Sequence, residues 1–368
     1  MAEGKLNRRK LASLCVLALL ALFFITQQRG SEPPVMGKST PQDLGLLLPE
    51  LSEEHRQALQ LVPTEVAATW RQRSFLVALG FLSPDNNERR RRRYLLRLTS
   101  FKYKGVATKS NNFTGELITT FILARHPDYN FTYSPKLKEE ARHWNDVIAL
   151  PMNEGRVSTN KKTGDGTHWG PETEIGMSRK VFHWYDLALH LFRNVSFISK
   201  ADDDAFLHVP QFLADLHVLP RRRVYWGYMK PMTVKDPFYF AAGILYTLSR
   251  DVSEAFVAYE PLRKIIRVPY SKEREMEFKP LILENEDIMV ARVISYLKLD
   301  SLRYYVESCC RFNDLNYGFC SGVRHSSVII HGVKEEQYME MVNRLYDGAP
   351  RTANQFYRGY LGWHASCS

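Results

Sequence analysis

The sequence predicts an α/β layered domain, and three observations carry that prediction. Short continuous apolar runs, such as 75–82 and 117–124, have the length and character of strands buried on both faces. Between such runs lie segments with the helical period, most clearly Val181, Tyr185, Ala188 and Phe192. Alternation of the two along the chain is the pattern of a sheet layered with helices. With 368 residues and 45% apolar content, the chain can bury a sizeable core.

Residues 1–28 read as an address. Lys5, Arg8, Arg9 and Lys10 precede an uncharged apolar run, 11–25, that spans about 22 Å as a helix and needs its flanks to cross a bilayer. A cleaved signal peptide is one reading. Thr26-Gln27-Gln28-Arg29 offers no small-x-small cleavage site, which favours an uncleaved anchor. The basic cluster would stay cytosolic and place the rest of the chain in the lumen. A short anchor also suits the thinner early secretory membranes. Sequons at Asn112, Asn130 and Asn194 agree, although the last abuts a core strand and is expected to be too buried for use. Cys309, Cys310, Cys320 and Cys367 suit an oxidising compartment. Adjacent Cys309 and Cys310 are expected to bridge separately to Cys320 and Cys367; a zinc cluster is the alternative, without histidines at finger-like spacing.

Residues 29–70 read as a proline-broken stem with one short helix, 52–61, capped by Ser52. The body, 71–368, opens with the strand at 75–82, breaks at 83–87 and enters a helix at 88–97 containing five arginines in a row, Arg89 to Arg93. A solvated helix face accounts for most of them, and one or two at the strand–helix junction could reach a ligand phosphate. Strands at 117–124 and 146–151 follow, then a loop at 153–170 whose length marks it as either mobile or functional. A helix at 178–192 leads to a strand at 195–198, a helix from Pro210 and a strand at 224–229. The apolar run 238–248 contains Ala241, Ala242 and Gly243, small enough for close approach of backbone or ligand. A helix at 288–297, a strand at 328–332 ending in His331, and a helix at 335–346 stopped by Gly348 and Pro350 complete the chain.

The chain is organised around Lys200-Ala201-Asp202-Asp203-Asp204-Ala205-Phe206, at the end of the strand 195–198. In extended chain Asp202 and Asp204 share a face, about 6.6 Å apart. Two converging hard oxygen donors suit Mg²⁺ or Mn²⁺ better than zinc or copper. His331, following a buried strand, is a candidate third ligand or diphosphate contact; a core or loop histidine is the other reading. A bare Asp triplet is more often a solvated turn, so its meaning rests on the rest of the chain. The net charge of +10, from 50 basic against 40 acidic residues, suits nucleic acid, an anionic membrane or a phosphate-bearing substrate. The anchor and sequons oppose nucleic acid.

Four segments in order, within about 75–332, resemble the β1,3-glycosyltransferase family of galactosyl-, N-acetylglucosaminyl- and Fringe-type enzymes. Arg93-Tyr94-Leu95-Leu96-Arg97-Leu98-Thr99-Ser100 resembles the family's Arg-x-x-Ile-Arg-x-Thr-Trp, and the acidic segment its Lys-x-Asp-Asp-Asp-x-Phe. Phe240-Ala241-Ala242-Gly243-Ile244-Leu245-Tyr246 resembles a degraded Tyr-Cys-Ser-Gly-x-x-Tyr, and Glu286-Asp287-Ile288 the family's Glu-Asp-Val. Ser100 replaces tryptophan, and Ile244 and Leu245 stand where glycine is common; divergent trypanosomatid members look similar.

The resemblance implies a GT-A-type nucleotide-sugar-binding fold, a mixed sheet flanked by helices. It also implies inverting transfer of galactose or N-acetylglucosamine from UDP-galactose or UDP-N-acetylglucosamine to a glycan hydroxyl on glycoprotein or glycolipid, in β1,3 linkage. A single-pass type II Golgi membrane protein needing Mn²⁺ or Mg²⁺ goes with it. Asp204 would ligate the metal, with Asp202 and His331; Asp202 and Asp203 would assist through water or hold the ribose. Arg93, Arg97 and Lys200 would approach the nucleotide. Asp287 would be the base opposite the leaving group, with Glu286 as fallback. The bland readings are helix-to-sheet structure for Arg93 and Arg97, a salt bridge to the triplet for Lys200 and a helix cap for Asp287. Trp226, Phe240 and Tyr246 would stack on sugars or pack in the core. A catalytically silent luminal glycan-binding or chaperone-like protein of the same fold is the alternative, which the intact Asp202, Asp204 and Asp287 oppose.

Overall fold

Helices α1 (Glu53–Ala58) and α2 (Thr64–Gln72) precede the first strand. Ser52 caps α1, its Oγ accepting the His55 N–H at 3.2 Å. The expectation of a stem to residue 70 needs correction here. Leu59, Ala67 and Trp70 are fully buried, and Trp70 packs edge-on against Phe113. The body therefore includes residues from about Leu51 onward, because these two helices cover apolar surface that the sheet would otherwise expose.

The computed structural model describes residues 50–161, 168–234, 236–316, 320–346 and 351–367, within the unit Ser39–Ser368. The expected anchor at 11–25, the chain to residue 49 and the stop at Gly348 and Pro350 lie outside the described residues. Among the described residues no helix is long and apolar enough to cross a membrane.

In chain order the body continues β1 (Val77–Leu82), α3 (Asn87–Leu98), β2 (Val106–Ala107), β3 (Leu117–Arg125), α4 (Pro135–Trp144), β4 (Val147–Asn153) and α5 (Pro171–Leu191). Then come β5 (Phe197–Asp202), β6 (Ala205–Leu207), α6 (Val209–Val218), β7 (Val224–Met232), β8 (Phe238–Ser249), α7 (Arg250–Ala258), α8 (Glu260–Ile266), α9 (Glu275–Phe278) and α10 (Glu286–Leu297). The last elements are β9 (Arg303–Val306), β10 (Phe312–Asp314), β11 (Ile329–His331), α11 (Tyr338–Leu345), β12 (Phe356–Arg358) and β13 (Trp363–Ala365).

The main sheet runs β12-β13-β9-β7-β8-β5-β1-β3-β2, with β4 also paired to β3. It is mixed: β1 is parallel to β3 and β5, whereas β8 is antiparallel to β5 and β7. Side chains alternate between two cores, Val77, Leu79 and Phe81 of β1 facing one and Ala78 the other. Helices cover both faces, which is why these strands read as unbroken apolar runs. Gly80 is required by this packing, since a Cβ there would lie 2.6 Å from the Trp184 ring of α5. The chain leaves β1 for β3 on one side and returns to β5 on the other. Such a switch opens a crevice beyond the carboxyl ends of the strands, here at Leu82 and Asp202. A small second sheet, β10-β11-β6, borders that crevice.

All three sequon asparagines are exposed, Asn194 included. Asn194 occupies the turn between α5 and β5 rather than the strand itself, so the expectation of burial fails there. Cys310 and Cys367 form a disulfide, and the thiols of Cys309 and Cys320 lie within hydrogen-bonding reach of each other.

Candidate functional site

Strand β5 delivers the acidic triplet to the crevice. It ends at Asp202, and Asp203 and Asp204 turn the chain into β6. Antiparallel pairing of β6 with β11 sets His331 opposite Ala205, beside the carboxylates. His331 Nε2 lies 3.2 Å from Asp204 Oδ1 and 3.9 Å from Asp202 Oδ2. The donor atoms of Asp202, Asp204 and His331 all fall within 4.8 Å of one another. Convergence thus comes from a turn and a neighbouring strand, not from the pleat of one extended chain.

The far nitrogen of His331, Nδ1, is 2.9 Å from Asp314 Oδ2, which the parallel β10–β11 register places alongside. A carboxylate on the far nitrogen is the usual means of orienting a metal-binding imidazole. Two carboxylates and one such imidazole form a donor set that Mn²⁺ or Mg²⁺ fits. Burial disfavours the imidazolium, but bonds to Asp204 and Asp314 outweigh it and raise the His331 pKa to about 10. Burial likewise pushes Asp204 up, and the His331 bond with the charges of Arg89 and Arg92 brings it below the usual carboxylate range.

Asp203 faces elsewhere. Its carboxylate accepts from Ser83 Oγ at 2.6 Å and from Arg89 at 2.5 Å, tying the turn to the end of β1. Burial raises its pKa against the opposing charge of Arg89.

Lys200 is buried, and its ammonium donates to Asp202 Oδ1 at 2.7 Å, Gly243 O at 2.6 Å and Glu286 Oε1 at 2.5 Å. It bridges the triplet to the Glu286-Asp287 pair, as the salt-bridge reading expects. Gly243 makes room for this bridge, because a Cβ there would sit 2.9 Å from Glu286 Oε1 and 3.1 Å from Lys200 Nζ.

Glu286 and Asp287 lie in the first turn of α10 and line the same cleft. Asp287 Oδ1 accepts the Ile288 N–H at 2.8 Å and its Oδ2 the Gly243 N–H at 3.0 Å, so it also fastens α10 to β8. Glu286 accepts from Tyr246 Oη at 2.9 Å. Burial pushes Glu286 up to about 7 against the pull of Lys200, and burial raises Asp287 as well.

Arg93 and Arg97 do not line the cleft, which corrects the expectation that they contact nucleotide; Arg93 reaches only the back of its wall, at Ser83 Oγ and the Pro84 carbonyl. Arg93 is fully buried, donating to both oxygens of Glu140 at 2.8 and 2.7 Å. Arg97 holds Asp146 through two bonds of 2.7 Å, reaches Glu140 and lies over the Phe121 ring. The arginines that reach the carboxylates are Arg89 and Arg92, the latter 3.2 Å from Asp204 Oδ2. The missed signal was the face of α3. Arg89 and Arg92, three residues apart, share the face turned to the triplet, whereas Arg93 and Arg97, four apart, share the one turned to Glu140.

Trp226 and Tyr246 are fully buried and Phe240 half-buried; none of them lines the cleft. They follow the core-packing reading, Trp226 donating to Glu307 at 2.8 Å. The cleft, of about 630 Å³, is bordered instead by Trp169, Lys180, Lys230 and Asn316. No model of a known protein family matches the chain, and no curated protein matches it.

Proposed function

We propose that this protein is a metal-dependent inverting hexosyltransferase of GT-A type. It would move galactose or N-acetylglucosamine from a UDP-sugar to a glycan hydroxyl, in β1,3 linkage, as a luminal Golgi enzyme on an N-terminal anchor. The observation that carries this is the gathering of Asp202, Asp204 and His331 with Glu286 and Asp287 in one cleft at a sheet switch point. When bound by Asp202, Asp204 and His331, Mn²⁺ or Mg²⁺ would neutralise the charge of the UDP leaving group. Arg89 and Lys180, which line the cleft while paired with Asp203 and Glu154, would attract the same diphosphate. Asp287 would accept the acceptor's proton at its Oδ2. Burial raises its basicity, and the amides of Gly243 and Ile288 fix its orientation. Lys200 would position both Asp202 and Glu286 rather than touch phosphate.

Release of UDP by the full chain, with and without Mn²⁺ across a panel of UDP-sugars, tests this reading. Mn²⁺-dependent release from one donor, lost in Asp204→Ala, is the expected result. Absence of both turnover and UDP–Mn²⁺ binding would overturn it in favour of the silent glycan-binding reading.

A further inference from the structure

Away from the cleft, a second group of metal-binding side chains lies where α1 meets α5. Asp186 and His190 are four residues apart on α5 and share a face, and His55 of α1 approaches that face. His55 Nε2 is 3.1 Å from Asp186 Oδ2, His190 Nδ1 is 2.7 Å from the Asp186 carbonyl oxygen and 3.6 Å from Asp186 Oδ1, and the two imidazole centroids are 4.7 Å apart. One donor atom from each of the three residues falls within 4.8 Å of the other two. His55 is only 6% exposed, yet its Nδ1 has no hydrogen-bond partner among the described residues. An ordinary core histidine would have both nitrogens satisfied.

We propose that His55, Asp186 and His190 bind a zinc ion that clips α1 to α5. Two imidazoles and one carboxylate are a zinc-type set, whereas the cleft trio, with two carboxylates, is richer in hard oxygen. His190 lies at the surface, which leaves a fourth position to water. The clip would join the helix that opens the body to the helix whose other end lines the cleft with Glu174, Met177 and Lys180. An ion bound only by the folded chain stabilises it by mass action.

Calorimetry with Zn²⁺ alone tests this on the chelator-stripped full chain carrying His331→Gln, which removes the cleft trio. One equivalent is expected, with saturating zinc raising Tm by about 5 °C. Both effects should vanish when His190→Ala or His55→Gln is added. His190 is exposed, so its replacement leaves the core untouched. In the otherwise wild-type chain the same His190→Ala change should remove one equivalent, which covers any folding defect from His331→Gln. One equivalent of zinc persisting in the His331→Gln chain that also carries His190→Ala, or no zinc bound by the His331→Gln chain or the wild-type chain with His190 intact, overturns the proposal.

Discussion

At single residues, charge placement separates structure from chemistry. Glu140 neutralises two buried guanidiniums, and removing one partner of such a group leaves uncompensated charge inside the protein. Glu140→Gln should therefore cost about 3–5 kcal/mol in urea unfolding, while the proposed UDP binding by the folded fraction stays as in the wild-type chain. Burial pushes the Glu140 carboxyl up, but bonds from Arg93 and Arg97 outweigh this and hold it below its ordinary 4.5. The folded-state pKa being the lower one, the stabilisation is complete above about pH 4.5 and is lost as pH falls through the lower value. The acid limb of the stability profile should flatten in the variant. At His331 the sign differs, because the imidazole carries a proton up to about pH 10 that a metal must displace. Binding Mn²⁺ at neutral pH should release about one proton, and affinity should fall roughly tenfold per unit of acidification. Calorimetry in buffers of different ionisation enthalpy measures both. Asp287→Asn should lower transfer by about 10²-fold or more and leave UDP–Mn²⁺ binding in place, the signature of a lost base. Loss of UDP binding in that variant would make Asp287 structural instead.

Among the elements, the strands at β1, β3, β5 and β8 were legible because burial on both faces writes itself as an apolar run. The helix α5 was legible from its period. α4 was not, since Lys136, Lys138, Glu139 and Arg142 dilute its apolar face to Leu137 and Ala141. Asp314 could not be read as part of the site, because its place depends on β10 pairing with β11, a contact between segments distant in sequence. The triplet, the Glu286-Asp287 pair and Gly243 were legible from local residue type; which arginines reach the triplet was set by the face of α3 that packs against it. The membership of α1 and α2 in the body was obscured by their prolines and short length. A chain beginning at residue 71 would lose Leu59, Ala67 and Trp70 from the core, and it should fail to fold cooperatively. One beginning at residue 50 should unfold in a single transition. Comparing the two by circular dichroism melts decides where the body starts.

Across the whole molecule, the described C-terminal residues are held by covalent and sheet contacts far from their own sequence. The β12–β13 hairpin extends the main sheet through β13 on β9, and the Cys310–Cys367 bond closes a separation of 57 residues. That loop contains α11 and the two strands, β10 and β11, that carry Asp314 and His331 to the cleft. Closing a loop of this size restricts the unfolded chain by about 4 kcal/mol on the chain-entropy account. Cys367→Ser should therefore lower stability by about that amount and destabilise the metal site along with it, because the β10–β11 pair lies inside the loop. The prediction distinguishes this bridge from the neighbouring thiols. Cys309→Ser should change little with the Cys310–Cys367 bond intact, because Cys309 and Cys320 hold only a hydrogen bond. Urea midpoints for both variants, each with and without Mn²⁺, give the comparison. A Cys367→Ser protein of unchanged midpoint and unchanged Mn²⁺ response would mean that the sheet contacts alone hold the cleft's second wall in place.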